Sequence, residues 1–328
     1  MTESNPRIAL AGSVNSSRKT LEKLFEHDMN VVGVLGLDPS VSGNVSGFVD
    51  LKRQCEQEGF GNFRYFTDIN AGEVRHFIDE WRPDYLFVVG LSQLVKEPLL
   101  SLPSSGCIGF HPTRLPEGRG RGAVAWLILG KAKGAATFFK MGAGMDDGPI
   151  LAQQPFEVEE EDYAQDVIDK IIGAIGTCLD ELLPGMQAGT VEAREQNHAD
   201  ATYLGKRNPE DGWINWQDSA RSIVTLVRAV SSPLPGAFAC IKGQKIIIDR
   251  ASVETELNYI GVAGRILKKD PQKGVLVQAG DGLLWLHELR GIAPDELRVG
   301  QQFGSLEEYR FEQLNNKIVK LEKRLSDE

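Results

Sequence analysis

The first half of the chain alternates short apolar runs, each the length of a β-strand, with segments whose apolar residues recur at helical spacing. The alternation begins with the strand-like residues 7–13, and helical spacing follows over residues 16–25. Strands that alternate with helices form a parallel sheet covered by helices. We therefore expect an α/β fold with a doubly wound, Rossmann-like N-terminal domain, in which ligands bind beyond the carboxyl ends of the strands.

The same periodicities place the remaining elements. Strands are predicted at residues 29–35, 63–66, 85–89, 106–110, 135–141 and 150–158, and helices at residues 73–81 and 162–183. A turn-rich stretch at 202–216 precedes a helix at 220–230 and strands at 237–248 and 275–286, separated by glycine-containing turns. We therefore expect a Rossmann-like domain at 1–200, a smaller β-rich, OB-like domain at 201–304 and a C-terminal helix at 305–328.

Length and composition exclude several classes of protein. A chain of 328 residues exceeds the roughly 150-residue unit of a single core, so two domains are expected. The four cysteines lie far apart with no CxxC pair, which indicates neither a disulfide framework nor a metal site. The N-terminal residues have no signal-peptide pattern, and no apolar run reaches about 18 residues. We expect a cytoplasmic protein without a membrane partner.

The charge balance bears on the class of partner. The formal net charge is -10 and the isoelectric point is near 5.2. Binding a nucleic-acid backbone normally requires clustered lysines and arginines that displace counterions. The acidic balance therefore disfavours a nucleic-acid partner.

The final segment has an amphipathic helical pattern. Ser305 and Glu308 form a capping-box pair at its start. Its apolar residues then recur alternately three and four apart: Phe311, Leu314, Ile318, Leu321 and Leu325. Two interpretations stay open, because this face could pack on its own domain or form a seam between two chains of a homodimer.

The densest chemical signal is HPTRLPEGRGRGAVAWLILGKAKGAATFFKMGAGMDDGPIL, residues 111–151. His111 directly follows a predicted buried strand, so we expect its imidazole at the carboxyl edge of the sheet. Asp146 lies in a turn between two predicted strands, where its carboxylate can reach a histidine on the neighbouring strand end. Such a carboxylate orients the imidazole for proton transfer near neutral pH. We predict that His111 and Asp146 form a catalytic pair.

This segment resembles the formyltransferase family, which includes methionyl-tRNA formyltransferase and the sugar-nucleotide N-formyltransferases. The matching motifs are HPTRLP at 111–116, GRG at 118–120, GMDDGPIL at 144–151 and PDYLFVVGLSQLV at 83–95. Further on, ATYLGKRNPEDGWINW at 201–216 and VRAVSSPLPGAF at 227–238 resemble the family's linker and second domain. The resemblance covers most of residues 7–300.

The resemblance implies a reaction and a set of site residues. The formyl donor would be N10-formyltetrahydrofolate, whose formyl carbon an amine attacks to release tetrahydrofolate. His111 would transfer the proton, with Asp146 as its partner near the folate. The expected folate-binding residues are Leu91, Ser92, Gln93, Leu115, Gly144 and Asp146.

The chain departs from the family pattern at Gly109. The family usually has asparagine two residues before this histidine, so a side-chain oxyanion donor is missing here. Losing one such donor costs about 10² to 10³ in rate. Either another donor compensates, or the mechanism depends on His111 alone, or the chain is a catalytically weakened protein that binds folate or a nucleotide sugar.

The acceptor amine is predicted from charge. Family members that act on initiator tRNA use a basic loop in the first domain, whereas residues 36–50 here contain no Lys or Arg. A tRNA-binding loop is therefore not expected. The second-domain segments GKRNPEDGWINW and VRAVSSPLPGAF resemble those of enzymes that formylate a 4-amino sugar on a nucleoside diphosphate, so the resemblance favours a nucleotide-linked amino sugar, with methionyl-tRNA as the alternative. Arg119 and Arg121 are expected to meet the diphosphate, because guanidinium groups pair well with phosphate oxygens. Structural ion pairing is the alternative for both arginines.

Overall fold

The computed structural model describes residues 5–293 and 295–326, which divide into two compact units. Within these ranges, the first unit extends to Glu161 and resumes over Asp166–Lys206, and the second comprises Asp162–Gln165 and the chain from Arg207 onwards. Residues 1–4 of the predicted first domain, residue 294 of the predicted second domain and residues 327–328 of the predicted C-terminal helix lie outside the described residues.

The first unit contains nine strands and six α-helices among its described residues. The strands are β1 (Arg7–Gly12), β2 (Asn30–Leu37), β3 (Phe63–Phe66), β4 (Tyr85–Val89), β5 (Cys107–Thr113), β6 (Arg119–Gly120), β7 (Gly134–Lys140), β8 (Ile150–Phe156) and β9 (Tyr203–Leu204). The helices are α1 (Asn15–Glu26), α2 (Leu51–Gln57), α3 (Gly72–Trp81), α4 (Glu97–Leu100), α5 (Ala123–Ile128) and α6 (Ala164–Ala188), whose first residues belong to the second unit.

Seven of these strands form the central sheet, in the order β3-β2-β1-β4-β5-β7-β8. The five strands from β3 to β5 are parallel, and β7 and β8 add to the edge in antiparallel orientation. The order 3-2-1-4-5 with crossover helices is that of a doubly wound sheet. The predicted Rossmann-like fold is therefore confirmed, with an antiparallel edge that the alternation of elements did not reveal.

The core of the first unit lies along the two central strands. Ile8, Ala9, Leu10 and Ala11 of β1 are fully buried, as are Leu86, Phe87 and Val89 of β4. A central parallel strand is covered on both faces, so its sequence is continuously apolar instead of alternating. These runs therefore fix the middle of the sheet and place the carboxyl ends of β1, β4 and β5 along one edge.

The second unit is β-rich, as predicted. It contains helices α7 (Ala220–Val230) and α8 (Leu306–Ser326) and strands β10 (Ala237–Ile241), β11 (Gln244–Glu254), β12 (Ile266–Asp270), β13 (Gly274–Gln278) and β14 (Leu283–Arg290). The strands form one antiparallel sheet in the order β10-β11-β14-β13-β12. The predicted segment at 237–248 contains a hairpin, because Lys242 and Gly243 both have positive φ and reverse the chain.

None of the helices in residues 5–293 and 295–326 combines the length and the apolar character needed to cross a bilayer.

Candidate active site

His111 lies inside a strand and not after one. The prediction ended this strand at residue 110, but β5 continues to Thr113 because β7 pairs alongside it, with His111 opposite Thr137. The side chain is buried, with 6% of the residue exposed. The strand thus holds the imidazole in a fixed position near its carboxyl end.

The two ring nitrogens of His111 have different partners. Nε2 lies 2.8 Å from the carbonyl oxygen of Gly118. A carbonyl oxygen can only accept, so Nε2 carries the hydrogen of this bond. Nδ1 lies 3.6 Å from Oδ2 of Asp146, beyond hydrogen-bond length but within range of an ion pair. Nδ1 is therefore the nitrogen that can take up a proton, and the carboxylate stabilises the resulting imidazolium.

The carboxylate of Asp146 is held by a backbone donor. Its Oδ2 accepts a hydrogen bond of 2.8 Å from the backbone N–H of Gly120. Gly120 has a φ of 114°, and a Cβ there would lie 2.4 Å from the carbonyl oxygen of Leu204. Only glycine fits this position. Asp146 itself has a φ of 49°, a conformation that aspartate tolerates better than most residues and that is common at functional sites.

The segment that carries Asp146, residues 141–149, does not start beside His111, as the prediction of neighbouring strand ends implied. β7 runs antiparallel to β5, so it ends beside the start of β5, where the N–H of Met141 donates to the carbonyl of Cys107 at 2.8 Å. The segment, here called the Asp146 excursion, then folds back and brings its carboxylate to His111. The predicted pair is present, but the chain reaches it by a different route.

A buried Arg119–Gln196 pair supports the Asp146 excursion. Nε2 of Gln196 donates to the carbonyls of Asp146 and Gly148, at 2.9 and 2.7 Å. Oε1 of Gln196 accepts from Nη2 and Nε of Arg119, at 2.8 and 3.2 Å. Only 5% of Gln196 and 1% of Arg119 are exposed. Sequence reasoning missed Gln196, since a single glutamine in a polar stretch gives no signal of its own.

Arg119 does not have the free guanidinium that was expected for a diphosphate. Besides Gln196, its guanidinium donates to the hydroxyl of Tyr203 and to Nδ1 of His198, each at 3.2 Å. A side chain so enclosed offers no surface to a phosphate. A structural role for Arg119, the alternative given above, is therefore favoured. Its partners are neutral hydrogen-bond acceptors and not the carboxylate of an ion pair.

Arg121 differs from Arg119, because it is exposed. Its Nη2 donates to the carbonyl oxygen of Ser92 at 3.0 Å. Together with the bond from Gly120 to Asp146, this contact joins three segments, residues 90–95, 118–122 and 141–149. We call these three segments the rim of the site.

The expected folate-binding residues after β4 lie on this rim. Leu91 is half-buried against the core, and Ser92 is exposed. The side chain of Gln93 accepts from the N–H of Ile69 at 2.7 Å and donates to the carbonyl of Thr67 at 2.8 Å. Gln93 therefore fixes the segment, and Ser92 next to it stays exposed.

The other two expected folate residues have different surroundings. Leu115 is 2% exposed and packs with Phe139 and Ile150, so its side chain belongs to the core and offers no surface to a ligand. Gly144 is exposed on the Asp146 excursion. A Cβ on Gly144 would lie 1.8 Å from Oδ2 of Asp147, so a larger residue here would require the Asp147 side chain to move.

Gly109 lies on β5 directly opposite Phe139 of β7. A Cβ on Gly109 would lie 2.8 Å from Cζ of Phe139 and 2.9 Å from Cγ of Met141. Two apolar side chains thus fill the space in which a side chain at position 109 would extend. The position of the missing amide is therefore occupied by apolar packing.

Other reactive groups add little to this chemistry. Burial raises the pKa of the Cys55, Cys107 and Cys178 thiols to about 12, so these groups stay protonated at neutral pH. In the part of the chain that the structure describes, no three His, Cys, Asp or Glu side chains are placed to hold a metal ion. Among the described residues, His111 is the buried histidine, and it faces the carboxylate of Asp146.

Comparisons with solved structures relate this fold to known proteins. The chain superposes on WlaRD, a sugar 3N-formyl transferase solved with dTDP and 5-N-formyl-THF, with a TM-score of 0.63 and 16% identity, over 88% of this chain and 100% of the other. HypX from Aquifex aeolicus in complex with tetrahydrofolic acid gives a TM-score of 0.62 at 18% identity, and 88% of this chain spans 45% of that protein. At these identities the likeness concerns the fold alone.

Sequence comparisons extend the likeness to family membership. The chain is 30% identical over 286 residues to the methionyl-tRNA formyltransferase of Geobacter metallireducens, covering 86% of this chain and 90% of the relative. The family model described as formyl transferase matches residues 8–177. The model described as formyl transferase, C-terminal domain, matches residues 206–301. The chain therefore belongs to the formyl transferase family.

Proposed function

We propose that the protein transfers a formyl group from N10-formyltetrahydrofolate to the amine of a nucleotide-linked amino sugar. Family membership supports the formyl transfer. The observation that carries the mechanism is the arrangement of His111, whose Nε2 is bound to a carbonyl while Nδ1 faces a carboxylate. An acyl transfer between two nitrogens needs one group that accepts a proton and returns it, and this imidazole can do both.

The proton balance assigns the roles of the pair. The attacking amine loses one proton as it bonds to the formyl carbon, and Nδ1 of His111 accepts it. The folate nitrogen gains one proton as its bond to that carbon breaks, and the same Nδ1 returns it. Asp146 stabilises the imidazolium between these two events, because its carboxylate lies 3.6 Å from Nδ1.

The rim suits the chemistry of a reduced folate. Leu94 and Met145 are 73% and 58% exposed, on two of its three segments. A flat heterocycle needs apolar surface for its faces and backbone donors and acceptors for its edge. These two side chains, with the backbone around Ser92, would supply both. WlaRD was solved in the presence of 5-N-formyl-THF and HypX in complex with tetrahydrofolic acid, which supports a folate donor here.

Charge supports a small acceptor. Residues 38–50 are exposed or half-buried and carry Asp38 and Asp50 without any lysine or arginine. This segment therefore offers no cations to a nucleic-acid backbone. Arg121 provides an exposed guanidinium beside Ser92 on the rim, and we assign it to the diphosphate of a nucleotide-linked sugar. The likeness to WlaRD, a sugar formyl transferase, is consistent with this acceptor.

Two alternatives each rest on one observation. Methionyl-tRNA as acceptor is favoured by the 30% identity to a methionyl-tRNA formyltransferase over 90% of its length. A folate-binding protein with weakened catalysis is favoured by Gly109, around which Phe139 and Met141 leave no space for an amide.

A direct assay separates the three proposals. The protein is incubated with N10-formyltetrahydrofolate and either a panel of nucleotide-linked amino sugars or charged initiator tRNA, and products are analysed by mass spectrometry. His111→Gln is the matched control for background transfer. We expect one formyl group on an amino sugar. Formylmethionyl-tRNA as the sole product would overturn the acceptor, and folate binding without any product would support the binding protein.

A further inference from the structure

Helix α8 (Leu306–Ser326) is attached to the second unit by its first turns. The hydroxyl of Ser305 caps the helix by accepting from the N–H of Glu308 at 3.1 Å. The ring of Tyr309 stacks on Trp213 at 5.9 Å and meets Phe238 edge-on at 5.6 Å. From Gln313 to Leu325 every residue except the half-buried Asn315 is exposed. The helix therefore extends beyond the surface that anchors it.

An apolar stripe follows the exposed length of α8. Its members are 47–74% exposed, and they are Phe311, Leu314, Ile318, Leu321 and Leu325, which we call the seam. The alternating spacing of three and four is a heptad pattern, with Phe311, Ile318 and Leu325 at a positions and Leu314 and Leu321 at d positions. The seam is uncovered among the described residues of its own unit, so the interpretation that it packs on its own domain is not supported.

We propose that α8 pairs with α8 of a second copy of this chain in a parallel two-stranded coiled coil. A heptad seam is self-complementary, because each a or d side chain fits between four residues of an identical facing helix. At the centre of the seam, Ile318 at a and Leu321 at d are the combination that favours two parallel strands. Tyr309 lies at an f position, on the opposite side of the helix, so the anchoring contact leaves the seam free.

The flanking charges select the orientation of the two helices. In a parallel pair, each g residue faces the e residue five positions further along the other helix. Lys317 at g then faces Glu322 at e of the second copy, and two-fold symmetry forms this pair twice. An antiparallel pair would place g beside g, where the residues are the cations Arg310, Lys317 and Arg324. Charge therefore favours the parallel arrangement.

Sedimentation equilibrium of the full chain tests the seam. Leu321→Glu places a charge in the seam, whereas Val319→Glu places the same charge at an equally exposed residue outside it, at 57% and 59% exposure. We expect a dimer whose dissociation constant rises about a hundredfold or more in Leu321→Glu, since two buried leucines are lost, and changes little in Val319→Glu. Equal helix content by circular dichroism shows that both variants fold. A monomeric wild type, or a dimer insensitive to Leu321→Glu, would overturn the proposal.

Charge reversal tests the orientation in the same assay at low salt. Lys317→Glu should weaken the dimer, because it places Glu against Glu322 of the second copy. The double variant Lys317→Glu with Glu322→Lys should restore association, because the pair is re-formed with reversed signs. A dimer strengthened by Lys317→Glu alone would show that cations face one another, and the parallel arrangement would be wrong.

Discussion

His111 has one ring nitrogen bound to a backbone carbonyl and one that faces a carboxylate at 3.6 Å. In the neutral imidazole the hydrogen is then on Nε2, and Nδ1 presents a lone pair to Asp146. Two acceptors that face each other repel, which explains why the distance exceeds hydrogen-bond length. In the proposed reaction, a proton taken up at Nδ1 would face the carboxylate of Asp146.

The tautomer of His111 can be measured directly. In protein labelled with ¹⁵N at histidine, we expect the neutral ring of His111 to carry its proton on Nε2, because Gly118 offers only an acceptor. The preference should persist in Asp146→Asn, since Gly118 sets it. Nitrogen chemical shifts that place the proton on Nδ1 in both proteins would contradict the assignment.

Gly109→Asn tests whether the space of the missing amide is filled. The new Cβ would lie under 3 Å from Phe139 and Met141, so we expect the free energy of unfolding to fall by about 1–3 kcal/mol. Urea denaturation measures the loss. Adding Phe139→Ala should offset part of the cost of the asparagine, so the two substitutions should not be additive. Unchanged stability of the single variant would mean that the pocket is open.

The residues of the site were predictable to different degrees. His111 and Asp146 are in motifs, so the sequence alone predicted both. Arg119 was expected at a phosphate, because the sequence shows its charge but not its burial. Gln196 was missed because its partners are 48 and 50 positions away along the chain, and local periodicity has no information about such contacts.

At the scale of elements, the Asp146 excursion depends on the Arg119–Gln196 pair. The amide of Gln196 donates to two carbonyls of the excursion and accepts from a buried guanidinium. Without these bonds, the two carbonyls would lose this donor and Nε of Arg119 would lose its acceptor, at a cost of about 1–3 kcal/mol for each unsatisfied buried group. The pair thus fixes the position of the carboxylate that faces His111.

Gln196→Glu separates the hydrogen bonds that Gln196 donates to the Asp146 excursion from those that it accepts from Arg119. A glutamate keeps the shape of the side chain and an acceptor for Arg119, but it cannot donate to the carbonyls of Asp146 and Gly148. We expect kcat to fall by about tenfold or more, because the Asp146 excursion would be displaced from His111. The KM for the folate should change little, because Gln196 does not hydrogen-bond to residues 90–95. If kcat is retained at full value, the pair has no positioning role.

The elements of the sheet were predicted well because each strand has an apolar run of suitable length. The directions of the strands were not predicted, since periodicity is the same for parallel and antiparallel strands. A parallel sheet was expected, whereas β7 pairs antiparallel with both β5 and β8. β12 was missed because Lys268, Lys269 and Asp270 interrupt its apolar pattern. The hairpin of β10 and β11 was predicted as one segment, since its two-residue turn contains a single glycine.

At the scale of the whole molecule, the described cysteines are buried in both units and remain thiols. Burial raises the pKa of Cys55, Cys107 and Cys178 from 9.0 to about 12. The folded state therefore disfavours the thiolate, and the unfolded state binds fewer protons above pH 9. The contribution of these thiols to stability is complete below pH 9 and is lost as the pH rises from 9 towards 12.

The corresponding prediction concerns alkaline stability. The free energy of unfolding should decrease as the pH rises above 9, and part of this decrease should be absent in Cys107→Ala, which has one buried thiol fewer. Denaturant titrations at a series of pH values measure the slope for both proteins. Identical slopes would contradict the assigned effect of Cys107.

The proton transfer by His111 is tested most directly by formyl transfer in His111→Gln. With the best acceptor of the panel and isotopically labelled N10-formyltetrahydrofolate, the appearance of labelled product is measured by mass spectrometry for this variant and for the wild type. We predict that turnover falls by about 10² to 10⁴ while folate binding, measured by calorimetry, is retained. Wild-type turnover in His111→Gln would contradict the role of the imidazole.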